Sequence, residues 1–182
     1  MNATQAVVAG DARPRAASVR IMLFDVDGVL TDGTLWYSEA GESVKPFNVL
    51  DGQGIKLLQQ AGIETGLLTS RQSGAVERRA RELGITLVMQ GIHDKLAAFT
   101  GVLSERGLAL EQSAFMGDDL VDLRVLTRCG FAASVPDAPE SVRSRVHLVT
   151  QARGGRGAAR EACEFILSSQ GRLDDLVAAF CR

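Results

Sequence analysis

From Arg20 onward, short apolar runs alternate with stretches in which apolar residues recur at helical spacing. The runs are Ile21 to Phe24, Thr65 to Leu68, Leu87 to Met89, Ala114 to Met116, Phe131 to Ser134 and His147 to Val149. Such runs, bounded by turn formers and separated by helix-length segments, predict buried parallel strands joined by crossover helices. The clearest helix is Ser73 to Leu83. There Val76, Ala80 and Leu83 share one face, charged residues cover the rest, and Gly84 stops the run.

One stretch breaks the alternation. Thr34 to Ser38, the turn-like Glu39 to Glu42, and Ser43 to Val49 read as a β-hairpin, a flap at about residues 33–49. The Ala, Gly, Arg and Pro mixture of residues 1–18 reads as a flexible leader. A Gly-rich segment, Arg153 to Gly157, precedes a C-terminal helical tail at about residues 156–182. The expected fold is therefore α/β: a Rossmann-like parallel sheet flanked by helices, forming a single domain over residues 19–182.

Composition narrows the partners. With 182 residues and 46% hydrophobic content the chain can bury one core, and a net charge of -2 with interspersed signs leaves no footprint for nucleic acid or a membrane surface. A small-molecule partner and a cytoplasmic location are expected, since residues 1–18 lack a signal-type apolar run and no later stretch reaches membrane-helix length. Cys129, Cys163 and Cys181 have neither metal-type nor redox-type spacing and read as reduced thiols.

Four polar features follow four predicted strands, where an open parallel sheet presents its ligands. Asp25 and Asp27, two residues apart and followed by Gly28, can both turn toward one pocket as the chain leaves the pleat. A solvated Asp-Gly turn explains most isolated pairs of this kind, but poorly explains two carboxylates closing an apolar strand. Thr69, after Gly66 to Leu68, offers a hydroxyl for a phosphoryl oxygen, although such residues are more often helix caps. Lys95 stands near a helix start and gains weight only from its company. The cluster Asp118, Asp119 and Asp122 after Ala114 to Met116 suggests, with the first acidic strand end, a site for a hard cation such as Mg²⁺.

In this order the four motifs resemble the haloacid dehalogenase (HAD) superfamily of aspartyl-nucleophile phosphatases, over nearly everything from Val19 to about Ser169. Longer segments are similar to a bacterial family within it, the phosphatases of 3-deoxy-D-manno-octulosonate (KDO) 8-phosphate in lipopolysaccharide sugar synthesis. These are Phe47 to Gly52, Arg79 to Ile85, Gln90-Gly91 and Gly154 to Glu161.

The resemblance implies Asp25 as nucleophile, Asp27 as acid and base, Thr69 and Lys95 as supports of the transferring phosphoryl group, and an aspartyl-phosphate intermediate. Mg²⁺ would sit between Asp25, Asp118 and the backbone carbonyl of Asp27. It also implies a substrate pocket lined by Asn48, Val49, Leu50, Asp51, Gly52 and Lys56, with Arg71 and Arg79 as candidates for the carboxylate of a small anionic sugar phosphate. Many relatives carry arginine where Leu50 stands, so a charge contact is missing there. Relatives acting on nine-carbon sugar acids tend to carry an acidic residue in place of Arg71, which favours the eight-carbon substrate here. The intervals from Asp25 to Thr69 and from Lys95 to Asp118 leave no space for a cap domain. The resemblance accordingly implies a homotetramer whose neighbouring subunits cover the cleft, with the hairpin assembling it and the C-terminal segment reaching an adjacent site. A phosphatase of another small metabolite, a response-regulator-like phosphoacceptor and a non-enzymatic oligomerisation module are the competing readings.

Overall fold

The structure is a computed structural model that describes residues 7–39 and 41–181. The first half of the chain runs β1 (Val7–Val8), α1 (Ala12–Ala17), β2 (Ile21–Phe24), β3 (Trp36–Ser38), β4 (Gly41–Val44), α2 (Val49–Gln60), β5 (Glu64–Leu68), α3 (Gly74–Leu83) and β6 (Leu87–Met89). The second half adds α4 (Lys95–Arg106), β7 (Ser113–Met116), α5 (Leu123–Leu126), β8 (Phe131–Ser134), α6 (Glu140–Arg143), β9 (Leu148–Val149), α7 (Ala158–Ser169) and α8 (Leu173–Ala178).

Seven strands form one sheet in the order β1-β9-β8-β7-β2-β5-β6, parallel except for β1, which pairs antiparallel with β9. β2 is apolar at every position and fully buried because it has parallel neighbours on both edges. Its register sets Phe24 opposite Leu67 of β5 and Met116 of β7. Three strands thus end at one level, and the residues that follow them open into one space. Flanking helices seal the sheet: α1 and α2 pack on α7, and α4 packs on α5. Helix α3 has its expected inward face of Val76, Ala80 and Leu83. The Ser73 hydroxyl accepts from the Ala75 N–H at its start, and Gly84 takes φ 71° at its end.

Three expectations are corrected. Residues 7–18, expected as a leader, belong to the fold: β1 extends the sheet, and Ala12 and Ala16 of α1 are fully buried. The first six residues of that leader lie outside the described residues, as does Ala40 in the expected hairpin turn. The second arm of the hairpin, expected at Ser43 to Val49, is Gly41–Val44. Pro46 has no N–H for the ladder, and Asn48 already caps α2 by accepting from the Leu50 N–H at 2.8 Å. The expected tail is mostly core. Helix α7 buries Ala158, Ala159, Ala162, Cys163, Ile166 and Leu167, leaving only the segment from α8 onward at the surface.

Leu35, Trp36 and Tyr37 of the hairpin are exposed, Trp36 by 56%, whereas Phe47 packs on the core of its own chain.

Candidate active site

The Asp25 N–H, just past the end of β2, donates to the Met116 carbonyl at 2.9 Å, so the catalytic-looking loop starts anchored to β7. The chain then turns over Gly28 at φ 82°. A Cβ there would lie 1.9 Å from Oδ2 of Asp118, so a glycine is what lets the two acidic loops approach. After β5, the Thr69 N–H donates to the Met89 carbonyl at 2.9 Å, and its hydroxyl accepts from the Arg71 N–H at 3.4 Å. Lys95 is the first residue of α4. Its neighbour Asp94 caps that helix, accepting from the Ala97 N–H at 3.1 Å. Asp25, Asp27, Thr69, Arg71, Lys95 and Asp118 line one cleft of ≈ 250 Å³.

The Lys95 side chain is 2% exposed, and its ammonium sits 2.9 Å from Oδ2 of Asp25 and 2.7 Å from Oδ1 of Asp122. It also lies 5.9 Å from the centre of the Phe115 ring. Burial disfavours its charge, but Asp25 and Asp122 outweigh burial and raise its pKa. Burial and then the nearby Asp122 charge push the Asp25 carboxyl up to about 6, against the opposing pull of Lys95. Asp118 goes further, to about 8, through burial and then the charges of Asp25, Asp122 and Asp119. Removing the shared ammonium in Lys95→Met leaves two buried carboxylates facing each other. Urea unfolding of the metal-free protein at pH 8 should lose about 3–5 kcal/mol. A loss under 1 kcal/mol would mean the carboxylates are not charged together.

The carboxylate oxygens of Asp25, Asp118 and Asp122 lie within 4.8 Å of one another. Asp122 is already engaged: Oδ1 accepts from Lys95, and Oδ2 accepts from the Asp118 and Asp119 N–H groups at 3.0 and 3.3 Å. Asp25 and Asp118 remain as hard anionic donors forced together, which is the donor chemistry of Mg²⁺. Asp119 is exposed and accepts from the Leu120 N–H at 2.7 Å. Its place is in capping the turn.

Asp27 stands apart from Lys95. Its Oδ1 accepts from the Lys45 ammonium, and its Oδ2 lies 3.8 Å from Nε of Arg71. Nη2 of Arg71 in turn donates to the Tyr37 hydroxyl at 2.8 Å.

The remaining sequence-predicted residues do not line this cleft. Asn48 donates to the Gly155 carbonyl at 3.1 Å, and its own carbonyl accepts from Nη2 of Arg79 at 3.1 Å. Arg79 therefore braces α2 and does not converge with Arg71. Asp51 is turned inward, accepting from the Gly157 and Arg160 N–H groups at 3.3 and 3.1 Å, and burial raises its pKa. Gly52 is buried beneath Arg79, while Val49, Leu50 and Lys56 are exposed on α2. The Gly-rich segment braces the first loop. A Cβ at Gly154 would meet the Gly28 carbonyl oxygen at 1.8 Å, and the Gly155 N–H donates to the Val29 carbonyl at 2.9 Å.

No protein-family model matches the chain. The 3-deoxy-D-manno-octulosonate 8-phosphate phosphatase KdsC of Yersinia pestis is 42% identical over 167 residues, covering 92% of this chain and 89% of its own length. The chain belongs to the KDO 8-phosphate phosphatase family. The crystal structure of the Moraxella catarrhalis enzyme of that name, in complex with a magnesium ion, a phosphate ion and a KDO molecule, is 40% identical. It has a TM-score of 0.91 and covers 93% of this chain and 98% of its own. A structure described as a HAD superfamily (subfamily III A) hydrolase, from Legionella pneumophila, is 35% identical with a TM-score of 0.89, covering 94% of each chain. The family's membership in the HAD superfamily matches the fold, and its phosphatase chemistry matches an acidic, cation-ready cleft. Sequence reasoning missed Lys45. A single lysine in a flap reads as solvated surface, and no local signal marks the one that folds back onto Asp27.

Proposed function

We propose that the protein hydrolyses KDO 8-phosphate to KDO and inorganic phosphate, with Mg²⁺, in lipopolysaccharide sugar synthesis. The observation that carries this reading is the meeting of Asp25, Asp27, Thr69, Lys95 and Asp118 in one cleft, in a chain of the KDO 8-phosphate phosphatase family.

In this reading Asp25 attacks phosphorus as the bond to the sugar oxygen breaks, and Asp27 gives that oxygen its proton. Water then attacks the aspartyl-phosphate, passes a proton to Asp27, and releases phosphate with Asp25 restored. Lys95 balances Asp25 and Asp122 at the start and remains beside the phosphoryl group as its oxygens rearrange. Thr69, 2% exposed, offers its hydroxyl to one of those oxygens. Asp25, Asp118 and the Asp27 carbonyl would hold Mg²⁺, which when bound neutralises carboxylates and phosphate oxygens that otherwise repel one another. Arg71 is the guanidinium on the cleft wall for the carboxylate of the sugar acid.

The cleft has no cap domain among the described residues: a hairpin and α2 fill the interval before Thr69, and α4 and β7 lie between Lys95 and Asp118. A cytoplasmic homotetramer that covers it fits the exposed Leu35, Trp36 and Tyr37, and no described helix is long and apolar enough to cross a membrane. Val49, Leu50 and Lys56, outside the cleft of their own chain, reach substrate in this reading only across a subunit boundary. Light scattering should return four times the 19.4 kDa of one chain. A fully active monomer would exclude the shared site.

The deciding assay is phosphate release from eight-carbon and nine-carbon phosphorylated sugar acids and from simple sugar phosphates, with and without chelator. KDO 8-phosphate should be turned over best and chelation should stop it. Preference for simple phosphates would overturn the substrate while leaving the chemistry standing.

A further inference from the structure

Lys45 follows the hairpin, yet its side chain is only 3% exposed and its ammonium lies against Oδ1 of Asp27. Asp27 itself is 21% exposed at the cleft wall. A buried ammonium costs desolvation free energy that a surface lysine avoids, so its placement needs a partner, and Asp27 is one. The hairpin also touches a neighbour of that group: Tyr37 accepts from Arg71, whose Nε lies 3.8 Å from the other oxygen of Asp27. One point of the flap therefore meets the Asp27 carboxylate directly, and a second holds Arg71 beside it, while Lys95 is paired with Asp25 and Asp122 in the same cleft.

We infer that Lys45 is a positioning residue for proton transfer, holding Oδ1 of Asp27 so that Oδ2 is presented to the departing sugar oxygen. This rests on Asp27 acting as acid and base. As the P–O bond to the sugar breaks, its electron pair stays on the sugar oxygen, which takes the proton from Asp27. The negative charge that appears on Asp27 in this step is met by the Lys45 ammonium already in contact with it. In the second displacement the attacking water returns a proton to Asp27, and the same contact keeps the carboxylate turned toward that water. Arg71 is too far from Oδ2, at 3.8 Å, to fix its direction by a hydrogen bond. The flap thereby contributes to the chemistry of its own chain, in addition to any role between subunits.

Leaving-group dependence separates this role from a structural or substrate-binding one. A nitrophenolate departs without a proton, whereas a sugar alkoxide does not. The measured quantity is kcat/KM, which reports the steps through leaving-group departure, at saturating Mg²⁺. In Lys45→Met protein it should fall about a hundredfold for KDO 8-phosphate and less than about tenfold for a nitrophenyl phosphate. Lys45→Arg, which keeps a cation donor, should recover most of the loss on the alkyl phosphate. In an Asp27→Asn background, Lys45→Met should cost less than about twofold more. Lys45→Gln carries the same comparison if Met disturbs folding. Equal losses on both substrates, or a rise in KM with kcat unchanged, would overturn the inference, the latter by making Lys45 a substrate ligand. Wild-type protein that released phosphate from neither substrate would instead overturn the reading of the site, and this inference with it.

Discussion

Asp25→Asn protein is expected to lose turnover by on the order of 10⁴–10⁶-fold while keeping its fold. The amide preserves the shape of the side chain, so the 2.7 Å contact between Oδ1 and the Val26 N–H and the packing of β2 have no reason to change. What disappears is the oxygen that attacks in the proposed reading, together with one of the two anions that Lys95 holds. Steady-state phosphate release measures the loss, and circular dichroism checks that the sheet is intact. The neutral side chain also relieves repulsion from Asp122, so the metal-free variant should melt no lower than wild type. Turnover within tenfold of wild type would end the assignment of Asp25 as nucleophile.

The second large effect concerns the cation. Asp25 and Asp118 are raised from an ordinary 3.8 to about 6 and about 8. Groups raised in this way hold protons in the folded state that the unfolded chain has released. Their contribution to stability is complete below about pH 4 and is lost as pH climbs through about 6 and then about 8. Metal-free protein should therefore lose stability between pH 5 and pH 8.5. Mg²⁺ takes the place of those protons and should restore more at the alkaline end. At a hundred times its dissociation constant, a bound cation contributes about 2.7 kcal/mol, or about 5–10 °C in Tm for a chain of this size. Thermal melts with Mg²⁺ or chelator at pH 5 and 8.5 test this. Asp118→Asn should flatten the alkaline decline and remove most of the Mg²⁺ response. A response equal at both pH values, or unchanged in that variant, would place the cation elsewhere.

Coverage of the cleft, as proposed, would link these effects to selectivity. With no cap domain among the described residues, the proposed substrate needs another wall, and the exposed Leu35, Trp36 and Tyr37 are apolar area suited to a neighbouring subunit. The same hairpin delivers Lys45 to Asp27. In the proposed reading, assembly and proton transfer meet in one short element.

Much of this was legible in the sequence because the relevant signals are local. Ile21 to Phe24, Leu87 to Met89 and Phe131 to Ser134 are strands with the expected bounds, since unbroken apolar runs have few alternatives to a buried parallel strand. Ser73 and Gly84 bracket α3 as cap chemistry requires. The acidic pair at Asp25 and Asp27, the hydroxyl at Thr69 and the cluster from Asp118 were visible because each directly follows such a run.

Other features depend on partners distant in the chain. The two-residue β1 and the Pro-containing α1 carry almost no periodic signal; pairing with β9 and burial against α7 are what order them. Asp51 and Asn48 lie in a segment that reads as substrate-facing, but the segment from Gly154 into the first turn of α7, about a hundred residues away, turns both toward structural bonds. Lys45 is the sharpest case, because its charge could have gone to solvent. The sequence by itself determined the six parallel strands and the polar residues that follow them, which come from short-range pattern, while the roles of those residues came from the resemblance to the HAD superfamily. Only tertiary structure decided which charged side chains are desolvated together, because that depends on long-range packing, and this choice set Lys45 against Asp27 and Lys95 between Asp25 and Asp122.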